Sequence, residues 1–296
     1  MRGLPPRFVF RGLTLPSCRA ARMQTLSEIR AVLAERGIRP KHRLGQHFLH
    51  DKNQVARLVH AAGVQPGDMV LEVGPGTGAL TEALLDRGAE VIACEVDRNL
   101  AAIIADRFGP RVCLICGDCL LRHRALNPAV GEALGGRLFS LVANLPFQVA
   151  STLICVLLIQ HPQCLGQFVT IQKEVADRIL ARPHTKEYGP LTVIVRALAE
   201  VRRLAVVKPT CFWPAPKVTS TMIAVCPRPD HGIDDPGSFA RFVTRFFNKR
   251  RKQLGKIIGR EVSHWPAGVR PDLRPGALTV HQIIELWRLA SPSTAG

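Results

Sequence analysis

Four consecutive residues at the end of an apolar run combine an amide, a proline and an aromatic ring. They are Asn144, Leu145, Pro146 and Phe147, and they follow the strand-like run 138–143. An amide oxygen and a backbone carbonyl can both accept hydrogen bonds from an amino group, and an aromatic ring can stack on a flat base. Proline restricts the backbone between them. The tetrapeptide predicts a site for the amino group of a base, although the same residues also suit an ordinary turn after a strand.

The exocyclic amine of adenine is a weak nucleophile because its lone pair is delocalised into the ring. If the Asn144 side-chain oxygen and the Leu145 carbonyl both accept hydrogen bonds from it, the nitrogen is drawn towards tetrahedral geometry and its developing positive charge is stabilised. An in-line displacement of an activated methyl group is then accelerated mainly by positioning. This route requires neither a metal nor a covalent nucleophile, so we expect no metal site.

A glycine-rich loop, Gly-Pro-Gly-Thr-Gly at 74–78, follows the strand-like run 69–73 and precedes a helical pattern. Glycine allows bare backbone to approach a ligand at the carboxyl edge of a sheet. Glu95 follows Gly74 by 21 positions, at the end of the next strand-like run, where a carboxylate can accept both hydroxyls of a ribose. Asp118 follows the third run and can accept from an adenine amino group. The spacing differs from a dinucleotide fingerprint and no basic cluster follows, which favours S-adenosylmethionine over NAD.

Short apolar runs alternate with helical spacing through the first two thirds of the chain, which predicts a mostly parallel sheet with helices on both faces. Asp51 is a candidate N-cap for a helix over 51–62. Eight candidate strands more than suffice for a seven-stranded α/β sheet. They span 69–73, 90–95, 112–116, 138–143, 168–171, 191–195, 203–207 and 221–225.

A Pro, Asp and Gly-rich stretch at 227–236 predicts a linker, beyond which 239–258 and 280–289 have helical patterns. We therefore expect three parts. A basic N-terminal extension with a leading helix covers 1–40, a methyltransferase domain covers 41–229, and a small all-helical RNA-binding domain covers 230–296. The first 22 residues fit either a transit peptide or an over-extended start.

The 296 residues carry a formal net charge of +17, with a pI near 10.3, which predicts a polyanionic partner such as nucleic acid. Segment 241–260 holds eight basic residues and no acid. On a continuous helix, Arg245, Lys249 and Lys252 would share one face suited to phosphates, with Arg250 and Arg251 beside them. A solvated charged face is the simpler alternative. The longest clean apolar run, 149–159, is too short to span a bilayer, so no membrane association is expected.

The nine cysteines are odd in number and irregularly spaced, which indicates reduced thiols. Cys113, Cys116 and Cys119 form C-x-x-C-x-x-C, a spacing that suits a metal. Because a fourth ligand is missing and two of the three fall in an apolar run, packing is the favoured interpretation.

Six segments stand in the order seen in the ribosomal RNA adenine dimethyltransferases, and the chain most resembles the bacterial small-subunit (16S) enzymes. They span residues 41–49, 72–78, 144–147, 172–175, 188–189 and 212–220. The resemblance runs from about residue 41 to about residue 289 and implies a Rossmann-like class I methyltransferase sheet. It also implies S-adenosylmethionine as cofactor, ribosomal RNA in an immature small subunit as partner, a monomer, and a cytoplasmic location unless the leader directs the chain to an organelle.

The resemblance also assigns roles to individual positions, which are as follows. His47 and Leu49, with Gly74 and Gly76 of the glycine loop, would border the cofactor. Glu95 would bind the ribose of the cofactor and Asp118 its adenine. Asn144 would bind the reacting amine, and Phe147 and Phe212 would stack on the target base. Two positions depart from the family pattern. His47 stands where Asn is more common, so a side-chain contact to the cofactor there is an open question. Phe147 replaces the usual Tyr, which keeps the stacking surface.

Two other functions are consistent with these residues. A related large-subunit (23S) methyltransferase of the macrolide-resistance type would use the same chemistry on another RNA. A ribosome-assembly or transcription factor would keep the fold and RNA binding with little catalysis. The basic segment and the Phe-Trp-Pro-Ala-Pro-Lys sequence at 212–217 favour the small-subunit enzyme.

Overall fold

The structure is a computed structural model that describes residues 24–122 and 124–290. The predicted leader at 1–22 lies outside this part. The leading helix α1, Leu26–Glu35, begins at Thr25 in a capping box, in which the Glu28 amide donates to the Thr25 hydroxyl and the Thr25 amide donates to the Glu28 carboxylate.

The centre of the molecule is one seven-stranded sheet. Its strands in chain order are β1 Met69–Val73, β2 Glu90–Glu95, β3 Val112–Cys116, β4 Phe139–Asn144, β5 Cys164–Gln172, β6 Ala199–Val207 and β7 Ser220–Pro227. The order across the sheet is β3-β2-β1-β4-β5-β7-β6, and only β7 runs antiparallel to its neighbours. The predicted seven-stranded α/β fold is confirmed.

Helices connect the strands and carry the C-terminal part. Their bounds are α2 Lys52–Ala62, α3 Ala79–Leu85, α4 Arg98–Phe108, α5 Pro128–Leu134, α6 Ala150–Gln160, α7 Lys173–Ile179, α8 Pro190–Leu198, α9 Pro236–Asn248, α10 Leu254–Ile258 and α11 Val280–Ala290. The predicted cap of α2 is confirmed, because the Asp51 carboxylate accepts from the Gln54 amide at 3.0 Å. Two short strand pairs flank the sheet. Phe48–Leu49 pairs with Phe212–Trp213, and Leu120–Leu121 pairs with Ala125–Leu126.

The strand order reverses between β1 and β4, which lie side by side. In an open α/β sheet, the crevice beyond the carboxyl ends of such a strand pair is where ligands bind. The glycine loop follows β1, and Asn144 is the last residue of β4. The fold therefore brings the two motifs together at one edge.

The prediction of a strand at 191–195 is wrong, because this run lies inside helix α8. Pro190 occupies the first turn, and the Thr192 hydroxyl accepts from the Gly189 amide at 3.2 Å. Six of the nine residues are buried, and Thr192, Val193, Ile194 and Val195 are all β-branched, which favours a strand in so short a window. Without this run, seven of the eight candidate strands remain, and these form the sheet.

The prediction of one helix over 239–258 is also wrong. Helix α9 ends at Asn248, and a turn precedes the short helix α10. The Leu254 and Gly255 amides donate to the carbonyls of Leu273 and Pro271, which ties α10 to a different part of the chain. Helices α9, α10 and α11 share one apolar core with α8 and Tyr188. The C-terminal helices are thus packed firmly on the sheet domain.

Packing does not explain two of the three clustered cysteines. Cys113 and Cys116 are exposed on β3, which is an edge strand, whereas Cys119 is buried as expected. All eight cysteines of the described part are free thiols. Among the described residues, no helix combines the length and apolar character needed to cross a membrane.

Candidate active site

The glycine loop forms one wall of a pocket at the carboxyl edge of the sheet. Gly74 has φ +74°, and a Cβ there would lie 3.2 Å from Pro146 Cγ. Gly76 has φ +61°, and a Cβ there would lie 2.8 Å from the Phe48 ring. Larger residues at either position would be strained and would displace Pro146 or Phe48. The pocket therefore exposes backbone where a ligand can approach closely.

Glu95 ends β2 inside this pocket and is 5% exposed. Its Oε1 accepts from the Asp97 amide at 2.9 Å and its Oε2 from the Gly76 amide at 3.2 Å. Burial raises the pKa of Glu95 above its ordinary value, and these two amides oppose that rise. The two amides fix the carboxylate, whose remaining lone pairs suit a pair of hydroxyl donors.

Asp118 also lines this pocket and is exposed. Its Oδ1 accepts from the Leu120 amide at 3.0 Å, and its backbone carbonyl accepts from Asn127 Nδ2 at 2.7 Å. These bonds hold the turn after β3 and leave Oδ2 as an acceptor. Val96, which sequence reasoning missed, also lines the pocket and is 48% exposed. A flat apolar ligand face would cover it.

The Asn144 side chain is oriented by the segment that precedes α2. Its Nδ2 donates to the His47 carbonyl at 3.0 Å. Because a carbonyl can only accept, the nitrogen of the amide must face His47 and the oxygen Oδ1 is the acceptor that remains. The Leu145 amide donates to the Thr170 carbonyl at 3.1 Å, and within the described residues the Leu145 carbonyl accepts no hydrogen bond. Asn144 lines the pocket, whereas Leu145 is 2% exposed and is not part of the pocket lining, so only the first of these acceptors belongs to a pocket residue.

Residues 41–49, which we call the strap, border the pocket, and residues 44–49 are part of its lining. The His47 Nδ1 donates to the Pro214 carbonyl at 2.7 Å, and its ring centroid lies 5.7 Å from that of Phe147. Leu49 is 5% exposed in the short strand that pairs with Phe212. His47 therefore contributes an anchored ring and a backbone carbonyl.

The structure brings most of the predicted site residues to one pocket. Its lining includes His47, Leu49, Gly74, Gly76, Glu95, Asp118, Asn144 and Pro146. Phe147 is half-buried beside this lining. Phe212 is absent from this lining and is only 4% exposed within the hydrophobic core. The expectation that Phe212 walls the target base is therefore not met in this conformation.

Glu72, another residue that sequence reasoning did not assign, lines the pocket at 1% exposure. Its Oε2 accepts from the Thr81 hydroxyl at 2.7 Å. Burial raises the pKa of Glu72 to about 8, and the Thr81 bond only partly opposes that effect. Glu72 is the next-to-last residue of β1, and the hydroxyl that binds it belongs to α3, a contact that the sequence pattern does not reveal.

The basic residues of the C-terminal part differ in their partners. Because α9 ends at Asn248, Arg245, Lys249 and Lys252 do not share one helix face, which corrects the prediction. Arg245 pairs with Glu261 at 2.7 Å, an acid just beyond the segment in which the sequence shows none. Arg250 donates to the carbonyls of Lys186 and Thr185 at 3.0 and 2.9 Å. Lys249, Arg251 and Lys252 are exposed and carry no ion pair within the described residues.

The family description that matches this chain is Ribosomal RNA adenine dimethylase, over residues 37–270. The chain belongs to this family. By family it is an enzyme that dimethylates adenine in ribosomal RNA, and the resemblance seen in the sequence is confirmed. The match covers the strap, the glycine loop, the tetrapeptide and the basic turn at residues 249–252, so the pocket described above is formed by residues of the family region.

Named relatives extend this similarity over nearly the whole chain. The chain is 37% identical over 283 residues to Ribosomal RNA small subunit methyltransferase A of Magnetococcus marinus, covering 92% of this chain and 100% of the relative. It is 35% identical over 277 residues to the protein of the same name from Lactobacillus acidophilus, covering 88% and 94%.

Two solved structures share the fold. A dimethyladenosine transferase from Plasmodium falciparum superposes with a TM-score of 0.66 at 22% identity, covering 81% of this chain and 96% of that one. The 23S rRNA methyltransferase ErmE superposes with a TM-score of 0.60 at 25% identity, covering 82% and 100%. The fold is thus the class I methyltransferase fold that the resemblance implied.

Proposed function

We propose that this chain transfers methyl groups from S-adenosylmethionine to the N6 atoms of two adjacent adenosines near the 3′ end of small-subunit (16S) ribosomal RNA, two on each base. The observation that carries the proposal is the placement of the Asn144 amide, held by the His47 carbonyl, beside the glycine loop at the switch point of the sheet. The reaction serves maturation of the small ribosomal subunit.

The pocket residues fit this cofactor. Gly74 and Gly76 leave room at positions that a Cβ would fill, and Glu95 presents a fixed carboxylate for the ribose hydroxyls. Asp118 has an acceptor for the adenine amino group, and Val96 provides an exposed apolar surface for the ring. When bound, S-adenosylmethionine supplies an electrophilic methyl group. His47 and Leu49 border this site from the strap.

The target amine is held by two acceptors. Asn144 Oδ1 and the Leu145 carbonyl accept its two hydrogens, which pulls the nitrogen lone pair out of conjugation and stabilises positive charge on the nitrogen. Pro146 fixes the backbone that aims the carbonyl, and it packs on Gly74. Phe147, backed by the His47 ring, stacks on the base. A second aromatic role for Phe212 requires a rearrangement that exposes its ring.

The basic turn at residues 249–252 and the neighbouring helices bind the RNA. Lys249, Arg251 and Lys252 are exposed cations that form no ion pair in the described part of the chain and suit phosphates, whereas Arg245 and Arg250 also hold the local structure. Together they recognise the fold of the RNA while the target strand reaches the pocket. In this proposal the chain acts as a monomer, with a methyltransferase domain at 41–229 and an RNA-binding domain at 230–296.

The chain must act in a compartment that contains small-subunit ribosomal RNA. We propose the cytoplasm, with an organelle as the alternative if residues 1–22 act as a transit peptide. Because rRNA of the small subunit occurs in both, fractionation of cells that express the full chain with a C-terminal tag distinguishes them.

A large-subunit target is the second candidate, and the likeness to ErmE favours it. The relatives named as small-subunit enzymes match the chain at higher identity, 35–41%, which favours the first.

The experiment is to incubate the purified chain with labelled S-adenosylmethionine and either immature small subunits or large-subunit RNA, and then locate the label. Label on small-subunit RNA supports the proposal, and label on large-subunit RNA alone overturns it. RNA binding without label would favour an assembly factor.

A further inference from the structure

The strap joins parts of the pocket that are distant in sequence. On one side, Asn144 Nδ2 donates to the His47 carbonyl at 3.0 Å and Gln148 Nε2 donates to the Arg43 carbonyl at 2.8 Å. Gly45 lies against the same segment, since a Cβ there would be 3.5 Å from the Phe147 amide nitrogen. The position of the strap therefore sets the orientation of the catalytic amide.

On the other side, the strap is tied to Asp97, the N-cap of α4. Lys41 Nζ and Gln46 Nε2 lie 2.8 and 2.9 Å from Asp97 Oδ2, and the Lys41 amide donates to Gln46 Oε1 at 2.7 Å. The three residues thus form a closed ring of polar contacts around a carboxylate that is 3% exposed.

Asp97 is also connected to the cofactor wall, because its amide donates to Glu95 Oε1 at 2.9 Å. Burial alone would raise the pKa of Asp97, but the bonds from Lys41, Gln46 and the Asn99 amide hold it below its ordinary value. Asp97 is therefore ionised at neutral pH, and Lys41 is the only cation in contact with it among the described residues.

We propose that Lys41, Gln46 and Asp97 form a latch that seats the strap over the pocket and so couples the carboxylate of Glu95 to the orientation of the Asn144 amide. The three are positioning residues, which touch neither the methyl group nor the base. The inference rests on the proposed function, because it assigns the pocket to S-adenosylmethionine.

The latch makes cofactor affinity depend on a charge outside the pocket lining. Without Lys41, Asp97 is a buried carboxylate that has lost its cation, and the strap loses its attachment on the cofactor side. The pocket then opens at residues 44–49, and His47 no longer holds Asn144 in one orientation. Both cofactor affinity and the rate of transfer at saturating cofactor fall.

The test compares Lys41→Met with Arg36→Met. Arg36 forms an ion pair of similar length, 2.7 Å, with Asp106 of α4, outside the strap and outside the pocket, although the Asp106 side chain is more exposed than that of Asp97. We expect Lys41→Met to weaken S-adenosylmethionine binding, measured by calorimetry, by about 5- to 30-fold and to slow single-turnover methylation at saturating cofactor. Arg36→Met should leave the S-adenosylmethionine affinity and the methylation rate unchanged. Lys41→Arg, which keeps the charge, should retain most of the wild-type affinity and rate.

The same affinity and rate in Lys41→Met as in Arg36→Met would overturn the latch while leaving the proposed function intact. A wild-type chain that does not bind S-adenosylmethionine would overturn both. Hydrogen exchange measured on the wild-type chain tests the coupling without any substitution that could prevent folding. Amides of residues 41–49 should exchange more slowly when S-adenosylmethionine is bound, and equal exchange with and without it contradicts the coupling.

Discussion

The Asn144 side-chain amide donates to the His47 carbonyl across 3.0 Å, although the two residues are 97 positions apart. This bond decides which end of the amide faces the pocket, because the carbonyl accepts only from nitrogen. A catalytic group that is oriented by backbone needs no reorganisation during the reaction. The relationship also explains how His47 can serve in a position where the family more often has Asn, since its backbone carbonyl provides the contact to Asn144.

Replacement of Asn144 by alanine should remove methyl transfer while cofactor binding survives. Loss of one oriented acceptor from a transition state costs about 10²- to 10³-fold in rate. We expect the single-turnover rate to fall by that factor and the S-adenosylmethionine affinity to change only slightly. Wild-type turnover in Asn144→Ala would show that the tetrapeptide is only a turn.

Asn144→Asp separates orientation from acceptor chemistry. The carboxylate keeps an acceptor for the amine but has no N–H for the His47 carbonyl, so oxygen would face oxygen across the former bond. We expect transfer to fall nearly as far as in Asn144→Ala. If Asn144→Asp retained most of the wild-type rate, the anchoring bond to His47 would be unimportant.

The buried acid Glu72 should make stability depend on pH. Its pKa is about 8 in the folded chain against 4.5 in the unfolded one, so the folded state binds more protons between these values. The contribution of Glu72 is fully present below pH 4.5 and is lost as pH rises through about 8. Urea unfolding at pH 5, 7 and 9 should show the free energy of unfolding falling relative to Glu72→Gln.

The Gln variant keeps an acceptor for the Thr81 hydroxyl and cannot ionise. We expect Glu72→Gln to exceed the wild type in stability at pH 9 and to differ least at pH 5. Parallel pH profiles for the two proteins would mean that Glu72 ionises normally and is accessible to water.

A methyl group on Gly76 should disturb the pocket more than the same change at Gly37. Both glycines have φ near +60°, but a Cβ at Gly76 meets the Phe48 ring at 2.8 Å, whereas nothing lies within 4 Å of one at Gly37. The left-handed backbone alone costs about 1–2 kcal/mol in each case. Thermal unfolding should therefore show a larger loss for Gly76→Ala, together with weaker S-adenosylmethionine binding that Gly37→Ala lacks. Equal losses would place Phe48 away from the loop.

The basic turn should contribute to RNA binding through charge. Lys249→Gln and Lys252→Gln each remove an exposed cation that has no ion pair in the described part of the chain. Removing a cation that neutralises one phosphate reduces the slope of log K against log salt by about 0.7–0.9. Binding titrations at several salt concentrations should show this reduction with unchanged thermal stability. A slope that stays at the wild-type value would exclude these residues from the RNA interface.

Arg250→Gln should behave differently, because its guanidinium donates to the Thr185 and Lys186 carbonyls. We expect this variant to lose stability by about 1–3 kcal/mol in addition to any effect on RNA binding. Stability equal to that of Lys249→Gln would show that these hydrogen bonds contribute little.

The sequence predicted the sheet and the pocket well because both follow local patterns. Strands at 69–73, 90–95 and 112–116 have the predicted bounds, and the ends of such strands meet at one edge. The strand pattern therefore predicts that Gly74, Glu95, Asp118 and Asn144 converge at this edge, and all four line one pocket.

The remaining errors come from tertiary packing. Residues 191–195 form a helix that is buried on most sides, and its β-branched residues resemble a strand. The basic helix breaks at Lys249 because α10 is fixed by Leu273 and Pro271. Phe212 matches a family motif, yet its ring packs inside the core. The latch joins Lys41 to Asp97 over 56 positions, a pairing that no local pattern reveals.

In the proposed function, this pocket dimethylates adenine at N6 in small-subunit RNA. The direct measurement is mass spectrometry of nucleosides from immature small subunits incubated with the wild-type chain and S-adenosylmethionine, with fragments assigned along the RNA. We predict two N6,N6-dimethyladenosines per subunit, at adjacent positions near the 3′ end. Methyl groups on any other atom, or none on adenosine while the cofactor binds normally, would contradict the proposed function.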